Sequence, residues 1–344
     1  MLFECFFFEM VNSEKNEKLL EFIRSIGEIA AFWACEINCK KIVEHLQQFY
    51  DYKTIRIDKG EHTLLHVAVR SNSYQTLEYL LSLSTNSNVI ADESDSSTHQ
   101  AAEKMLDVNV RNEYGQTPLH VAQGNDLEIY KLLIGNGANT ASVDILKNTI
   151  LHNAARWRSN EVIEYLIELE IDINAQNSRE ETALYLAAER NKIETVKLLI
   201  SKDANIESVD EDENTILHGA ALGGANEVIE YLIELKVDID AKNSRGETAL
   251  HLAVRTDRIA TVKLLISKRA NIASVDILKN TILHNAAQWG AIKVIEYLIE
   301  LKVEIDAQNS IGETALHRAA ERNEIETVKF LILKGANIES VDGD

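Results

Sequence analysis

The sequence contains few cysteines and no Asn-x-Ser/Thr acceptor for N-glycosylation. Only Cys5, Cys35 and Cys39 occur in 344 residues, and an odd count this low provides no disulfide framework. Both features favour a cytoplasmic location, with a nuclear location and secretion left open. Because Cys35 and Cys39 are four residues apart, we expect them to lie on one helix face as a buried apolar pair.

Positive charge is also in short supply. The chain has 35 Lys and Arg against 55 Asp and Glu, which gives a formal net charge of −20. Binding to nucleic acid phosphates or to an anionic membrane surface requires an excess of Lys and Arg. We therefore predict no nucleic acid partner, whereas a protein partner with a basic surface is compatible with this charge.

Long apolar runs are absent too. No stretch approaches the ~20 apolar residues that a transmembrane helix needs. The first ten residues, MLFECFFFEM, resemble a signal peptide, but they have no basic start and Glu4 and Glu9 interrupt the apolar run. The sequence therefore predicts no membrane insertion.

A repeated motif, Thr-x-Leu-His, dominates the sequence. It begins at Thr63, Thr117, Thr149, Thr182, Thr215, Thr248, Thr281 and Thr314, and from Thr149 onward the interval is 33 residues. In the copy at Thr182 a tyrosine, Tyr185, replaces the histidine. A period of about 20–50 residues is typical of a solenoid or array, whose function lies on an extended surface.

Residues 180–212 show how one repeat is built. Thr182 is a good N-cap, because its hydroxyl can accept a free amide of the first helical turn. A short helix with small alanines follows, then a turn at Asn191-Lys192, then a second helix with an apolar stripe that includes Val196 and Leu199. Neither helix can bury its apolar side alone, so neighbouring repeats must stack.

These repeats resemble the ankyrin repeat. The clearest matches are Thr117-Pro-Leu-His-Val-Ala122 with Gly137-Ala-Asn139, and Thr314-Ala-Leu-His-Arg-Ala319 with Gly335-Ala-Asn337. In-register repeats begin near residues 115, 147, 180, 213, 246, 279 and 312. The resemblance implies an all-α solenoid of stacked helix-turn-helix units with projecting hairpin loops.

The resemblance also gives a domain organisation. We predict a helical N-terminal segment at residues 1–60 that contains a degenerate capping repeat, followed by an ankyrin-repeat solenoid at residues 61–344. An eighth repeat near residue 61 is split by a flexible insert at about residues 82–104, which is rich in Ser, Thr, Asn and Asp.

A longer period of 66 residues lies over the first. Blocks 147–212, 213–278 and 279–344 are close copies, each carrying the string Val-Ile-Glu-Tyr-Leu-Ile-Glu-Leu. The last block keeps an ordinary apolar pattern without the polar substitutions of a cap. We expect either that the stack continues in a longer protein or that a partner covers its end.

The loop before each motif departs from the family pattern in some repeats. The glycine two residues before Thr is kept at Gly115, Gly246 and Gly312, but is replaced by Lys147, Glu180, Glu213 and Lys279 elsewhere. Since glycine tolerates a positive φ best, we expect local variation of the loop at the four replaced positions.

The repeated histidines raise the possibility of a metal site. Packed helices lie about 8–10 Å apart, whereas every zinc ligand nitrogen must lie within about 2.1 Å of one ion. A ladder with one histidine per repeat cannot meet that condition. We predict no metal and no other cofactor; the resemblance implies instead that each imidazole bonds to its own loop and helix cap.

The sequence contains no motif for catalysis. No nucleophile elbow, phosphate-binding loop or zinc-protease motif is present, and the pair Gly223-Gly224 is predicted to form a helix–helix turn. An active site requires unlike groups that converge, but here similar groups are copied along an axis. We predict that the chain is not an enzyme and has no small-molecule substrate.

The ankyrin resemblance places partner contacts on a concave face, formed by the loop tips and the exposed ends of the first helices. The predicted contact residues are Ile145, Leu146, Arg156, Trp157, Arg179, Glu189, Arg190, Glu211, Asp212, Leu222, Arg245, Arg255, Ile277, Leu278, Gln288, Trp289, Ile311, Glu321 and Arg322. Apolar tips and tryptophans are unusual on such a surface and favour binding. The alternative is that the apolar tips pack against one another.

The sequence therefore predicts a non-catalytic protein–protein interaction scaffold or adaptor that binds a partner along this face. The alternative is a targeting arm of a larger enzyme, toxin or secreted effector whose active domain lies outside this chain. The identity of the partner is not contained in the sequence, because one fold serves many functions.

Overall fold

The computed structural model describes residues 31–47, 61–85, 106–122, 126–157 and 160–341. The chain forms two compact units, Met1–Ile171 (unit 1) and Asp172–Asp344 (unit 2). Within the described ranges the regular structure is helical, and the loops add only isolated β-bridges. The predicted all-α fold is confirmed.

The helices of unit 1 begin after a helical stretch at residues 31–36. They are α1 (Lys40–Leu46), α2 (Leu64–Arg70), α3 (Tyr74–Thr85), α4 (Leu127–Gly135), α5 (Ile150–Trp157) and α6 (Asn160–Glu168). Helix α3 extends to Thr85 and therefore includes the first four residues of the predicted insert at 82–104. The rest of that insert and the Phe-rich start lie outside the described residues.

Two local predictions in unit 1 are wrong. Cys35 and Cys39 do not share a helix, because a turn with Asn38 at φ 55° separates residues 31–36 from α1. Cys35 is buried, and burial raises the pKa of its thiol. Residues 117–122 form a turn and not a helix: His120 N–H donates to the Thr117 carbonyl at 2.9 Å, a bond that spans three residues where an α-helix needs four.

Unit 2 repeats a pair of helices. They are α7 (Ala183–Glu189), α8 (Ile193–Ser201), α9 (Ile216–Gly223), α10 (Asn226–Glu234), α11 (Ala249–Arg255), α12 (Ile259–Ser267), α13 (Ile282–Gln288), α14 (Ile292–Glu300), α15 (Ala315–Glu321) and α16 (Ile325–Leu333). The first helices α7, α9, α11, α13 and α15 pack in one row, and α8, α10, α12 and α14 pack side by side in a second row.

The sequence explains why the two rows differ. Residues 183–188 of α7 are all buried, since this helix has neighbours on several sides. Helix α8 buries Thr195, Val196 and Leu199 but exposes Glu194 and Lys197, as an amphipathic surface helix does. The first row therefore forms the core of unit 2.

Helices α7 and α9 approach each other closely at two glycines. A Cβ atom at Gly219 would lie 2.9 Å from Cζ of Tyr185, the tyrosine that replaces a motif histidine. A Cβ atom at Gly223 would lie 1.8 Å from the Glu189 carbonyl oxygen. Gly223 ends α9 and Gly224 adopts a left-handed cap, which confirms the predicted helix–helix turn.

The loop before the motif keeps one conformation whether or not it contains glycine. Lys147, Glu180, Glu213 and Lys279 have φ of 57–60°, in the left-handed region that the glycines also occupy. The predicted local variation is therefore wrong. A side chain from the start of the loop holds it instead: Asp210 Oδ1 accepts the backbone N–H groups of Asp212 and Asn214 at 3.0 and 2.8 Å.

Replacing Glu213 by glycine should therefore stabilise the protein. A left-handed conformation costs a residue with a side chain roughly 1–2 kcal/mol, and the greater freedom of glycine in the unfolded chain offsets part of the gain. We expect Glu213→Gly to raise the free energy of unfolding by about 0.5–1 kcal/mol, measured by urea denaturation. Glu211→Gly, at an exposed tip position without positive φ, is the matched control. An equal loss of stability in both variants would contradict this reasoning.

Candidate recognition surface

The hairpin tips of unit 2 are joined by main-chain hydrogen bonds. Glu211 N–H donates to the Arg179 carbonyl at 2.9 Å, Ser244 N–H to Asp212 at 2.9 Å, Ile277 N–H to Arg245 at 3.0 Å and Ser310 N–H to Leu278 at 2.8 Å. We call the five loops joined in this way, residues 177–181, 210–214, 243–247, 276–280 and 309–313, the tip row. Because the main chain holds each tip in place, its side chains are presented in a fixed order.

The apolar tip side chains face solvent. Ile277 is 67% exposed, Leu278 50% and Ile311 57%. The alternative that these tips bury one another is therefore wrong for unit 2. Ile277 instead lies over Gly246, where an added Cβ would lie 3.2 Å from Ile277 Cγ2. The absence of a side chain at Gly246 therefore leaves room for the Ile277 side chain.

Trp289 lies directly after α13 and is 50% exposed. The guanidinium carbon of Arg322 lies 5.9 Å from the centre of the indole ring, within the range of a cation–π contact. The repeat that follows Trp289 thus contributes a cation to the same patch.

Two residues of this patch, Arg318 and Glu313, were not predicted from the sequence. Arg318 donates to Gln288 Oε1 and to Glu321 Oε2, both at 2.7 Å, and lies 3.5 Å from Glu313 Oε2. Arg318 therefore links two predicted contact residues. The position directly after the motif histidine is uncharged in the other repeats. The repeat pattern therefore did not indicate that a residue at this position takes part in the patch.

The charged predicted residues form surface ion pairs along the tip row and the first helices. Arg245 contacts both carboxylate oxygens of Asp212 at 3.1 and 3.2 Å. Arg255 lies 3.9 Å from Glu247, and Arg190 lies 3.6 Å from Glu189. Glu247 is buried, whereas the exposed pairs Arg245–Asp212 and Arg190–Glu189 contribute little to stability, at most about 1 kcal/mol each. These side chains remain accessible to a partner.

Unit 1 contains the remaining predicted residues. Ile145 is 64% exposed and Trp157 52%, Leu146 is also exposed, and Arg156 is half-buried. In unit 2, Arg179 and Glu211 are exposed and Leu222 is half-buried. None of the predicted contact residues is buried, and whether they bind a partner stays a prediction.

The family model described as "Ankyrin repeats (3 copies)" matches residues 89–177, 184–276 and 272–342. These matches span well over half of the chain. The chain belongs to the ankyrin-repeat family. No curated protein matches it. Ankyrin repeats generally serve as protein–protein interaction modules, and the fold is typically non-catalytic. The number of repeats and the division at residue 60 stay predictions.

The motif histidines form hydrogen bonds within their own loop and helix cap, as the resemblance implied, and some also bond to the next repeat. In each described motif with histidine, the Thr backbone N–H donates to Nδ1 of its own histidine at 3.1–3.3 Å, which places the ring proton on Nε2. Nε2 of His218 then donates to the Glu247 carbonyl at 3.0 Å, and Nε2 of His284 donates to the Glu313 carbonyl at 2.9 Å, each in the next repeat. These two histidines therefore connect neighbouring ankyrin repeats, whereas Nε2 of His120 and of His251 is buried without a hydrogen-bond partner.

Burial favours the neutral form of four of these imidazoles. It lowers the pKa of His120, His218 and His284, and it lowers the pKa of His251 to about 4. In the part of the chain that the structure describes, no group of three or more His, Cys, Asp or Glu converges on a possible metal site. Nor is any helix there long and apolar enough to span a membrane.

Proposed function

We propose that this ankyrin-repeat chain is a non-catalytic scaffold or adaptor that binds a segment of a partner protein. The partner would lie along the surface formed by the tip row and the exposed ends of the first helices. One observation carries the proposal: Ile277, Leu278, Ile311 and Trp289 are each half exposed or more, and the main-chain bond from Ser310 to Leu278 joins the two apolar tips. Exposed apolar patches of this kind mark interaction sites on water-soluble domains.

The composition of the patch supports a protein partner. Tryptophan and arginine are the residue types most enriched among those that dominate binding energy, and here Arg322 stacks on Trp289. The rigid main-chain bonds of the tip row fix the positions of the apolar tips before binding. Such preorganisation reduces the entropy that binding costs.

Site-specific photo-crosslinking tests the proposal. A benzophenone amino acid at Ile277 or at Ile311 should crosslink the same partner protein in cells, identified by mass spectrometry. The matched control is Leu301, which is 40% exposed in the same unit but follows the second-row helix α14. Crosslinks to a shared partner from Leu301, with none from the two tip positions, would place binding on another face.

Once the partner is identified, Trp289→Ala should weaken its binding without unfolding the protein. A central exposed tryptophan typically contributes about 2 kcal/mol or more, roughly a thirty-fold change in Kd. The free energy of unfolding should fall by only about 1 kcal/mol, because half of the ring is already exposed to solvent in the folded protein. Calorimetry of binding and urea denaturation measure the two quantities. A stability loss of about 3 kcal/mol would instead identify Trp289 as a core residue.

A further inference from the structure

One stretch of the surface is present twice in this chain. Residues 145–157 and 277–289 have the same sequence except that Arg156 in the first corresponds to Gln288 in the second. The first copy lies in unit 1 and the second in unit 2. Each copy contains an Ile-Leu tip, the motif with its histidine, and a tryptophan at the end of the first helix.

The loop at the start of each copy has the same hydrogen bonds. Asp144 Oδ1 accepts the backbone N–H groups of Leu146 and Asn148 at 2.9 and 2.8 Å. Asp276 does the same for Leu278 and Asn280, at the same two distances. Both Ile-Leu tips are therefore held by the same turn.

Each copy also rests on a glycine of the preceding loop. An added Cβ at Gly115 would lie 3.0 Å from Ile145 Cγ2, and one at Gly246 would lie 3.2 Å from Ile277 Cγ2. The two isoleucines are 64% and 67% exposed, and the two tryptophans are 52% and 50% exposed. Sequence, backbone and exposure therefore agree between the two copies.

The corresponding segment between the two copies, residues 211–223, does not contain this surface. Glu211 and Asp212 occupy the tip positions, and Gly223 stands where the copies have tryptophan. No larger side chain fits at Gly223, because a Cβ there would lie 1.8 Å from the Glu189 carbonyl oxygen. The surface is thus built twice along the array.

Unpaired cations accompany each copy. In the described part of the chain, the structure shows no ion pair for Lys147 and Arg156 within the first copy, for Lys279 within the second copy, or for Arg322, which stacks on Trp289. Arg190, which corresponds to Arg322 next to the first copy, lies 3.6 Å from Glu189. The Arg156 Nε atom is buried and has no hydrogen-bond partner there. In a chain with a net charge of −20, acidic groups to pair with these cations are abundant. Their unpaired state fits a ligand that brings its own carboxylates.

We propose that residues 145–157 and 277–289 form two corresponding docking sites, each for a short peptide segment with large apolar side chains flanked by Asp or Glu. The apolar residues would contact the Ile-Leu tip and the tryptophan, and the carboxylates would pair with the neighbouring Lys and Arg. One chain therefore binds two copies of the same segment. This inference rests on the proposed function, because it assigns a ligand class to the same surface.

Peptides selected from a phage-displayed library of random 16-residue sequences provide the probe. Selection on the full chain should enrich peptides that combine Leu, Ile, Phe or Trp with Asp and Glu. Calorimetry of an enriched synthetic peptide should give two peptides per chain. Trp157→Ala and Trp289→Ala should each reduce the stoichiometry to one peptide per chain, and the double variant should abolish binding. Added NaCl should weaken binding several-fold.

Paired variants keep the test informative if a tryptophan variant is destabilised. Ile145→Ser with Leu146→Ser, and Ile277→Ser with Leu278→Ser, should reduce the stoichiometry in the same way, while Leu301→Ala should leave it unchanged. One peptide per wild-type chain, or basic peptides among those enriched, would overturn the two-site proposal. If enriched peptides bind the double tryptophan variant as tightly as the wild type, the two sites are wrong but peptide binding by the array survives. Failure to enrich any peptide would count against both proposals.

Discussion

Gly223→Ala is expected to destabilise the array more than any other single methyl addition considered above. The added Cβ would lie 1.8 Å from the Glu189 carbonyl oxygen, and that oxygen belongs to the main chain of α7. A flexible side chain could move aside, but here two packed helices must separate. Overpacking a close interface typically costs about 1–3 kcal/mol, and we expect this variant to lose about 3 kcal/mol or more of the free energy of unfolding.

Urea denaturation followed by circular dichroism measures this loss. The matched control is Gly135→Ala at the end of α4, where an added Cβ would have no neighbour within 4 Å and φ is not positive. That variant should be neutral or slightly stabilising, since alanine favours a helix over glycine by up to about 1 kcal/mol. Equal stability of Gly223→Ala and the wild type would show that α7 and α9 are not packed as described.

The second expected result is a loss of stability between about pH 6.5 and pH 4. Burial lowers the pKa of His251 from 6.5 to about 4, although the Asp276 carboxylate acts in the opposite direction and Lys242 adds to the lowering. Below pH 6.5 the unfolded chain therefore binds protons that the folded chain does not, and the free energy of unfolding falls with pH. For His251 alone the effect is on the order of 3 kcal/mol, fully lost only below pH 4.

His120, His218 and His284 add to the same effect, because burial lowers the pKa of each. Urea denaturation at pH 7.5, 6.5 and 5.5 separates the histidines from carboxylates, which titrate mostly below pH 5. Nuclear magnetic resonance of the histidine rings should show that His251 stays neutral at pH 5.5 in the folded protein. A free energy of unfolding that is constant from pH 7.5 to 5.5 would contradict this assignment.

The sequence predicted those parts of the fold that depend on short-range patterns. Thr182 does cap α7, and its hydroxyl accepts the Tyr185 N–H at 3.2 Å, because the cap needs only residues three positions apart. The Trp and Ile-Leu side chains are exposed, as predicted. This exposure could be predicted because the register of the repeat places these residues at loop tips and helix ends. Their role in binding stays a prediction.

The sequence could not predict contacts between repeats. Arg318 bonds to Gln288, and Gly219 faces the ring of Tyr185, and both pairs join residues about one repeat apart. Such contacts depend on how helices of neighbouring repeats are aligned, and a pattern within one repeat does not predict that alignment. The loop at Glu213 was predicted wrongly for a related reason: the turn is imposed by Asp210 and by the bond from Glu211 to Arg179, so glycine is not required.

The main-chain hydrogen bonds of the tip row bear on how the tip side chains can change in evolution. Glu211-Asp212 and Ile277-Leu278 occupy equivalent places, and Glu211 and Ile277 each donate a main-chain N–H to the tip of the preceding repeat. Because that bond involves no tip side chain, an acidic tip and an apolar tip need the same backbone. Under the proposed function, substitutions at these positions would change what is recognised while the main-chain bond is kept. The preceding loop limits which side chains fit, because Ile277 lies over Gly246.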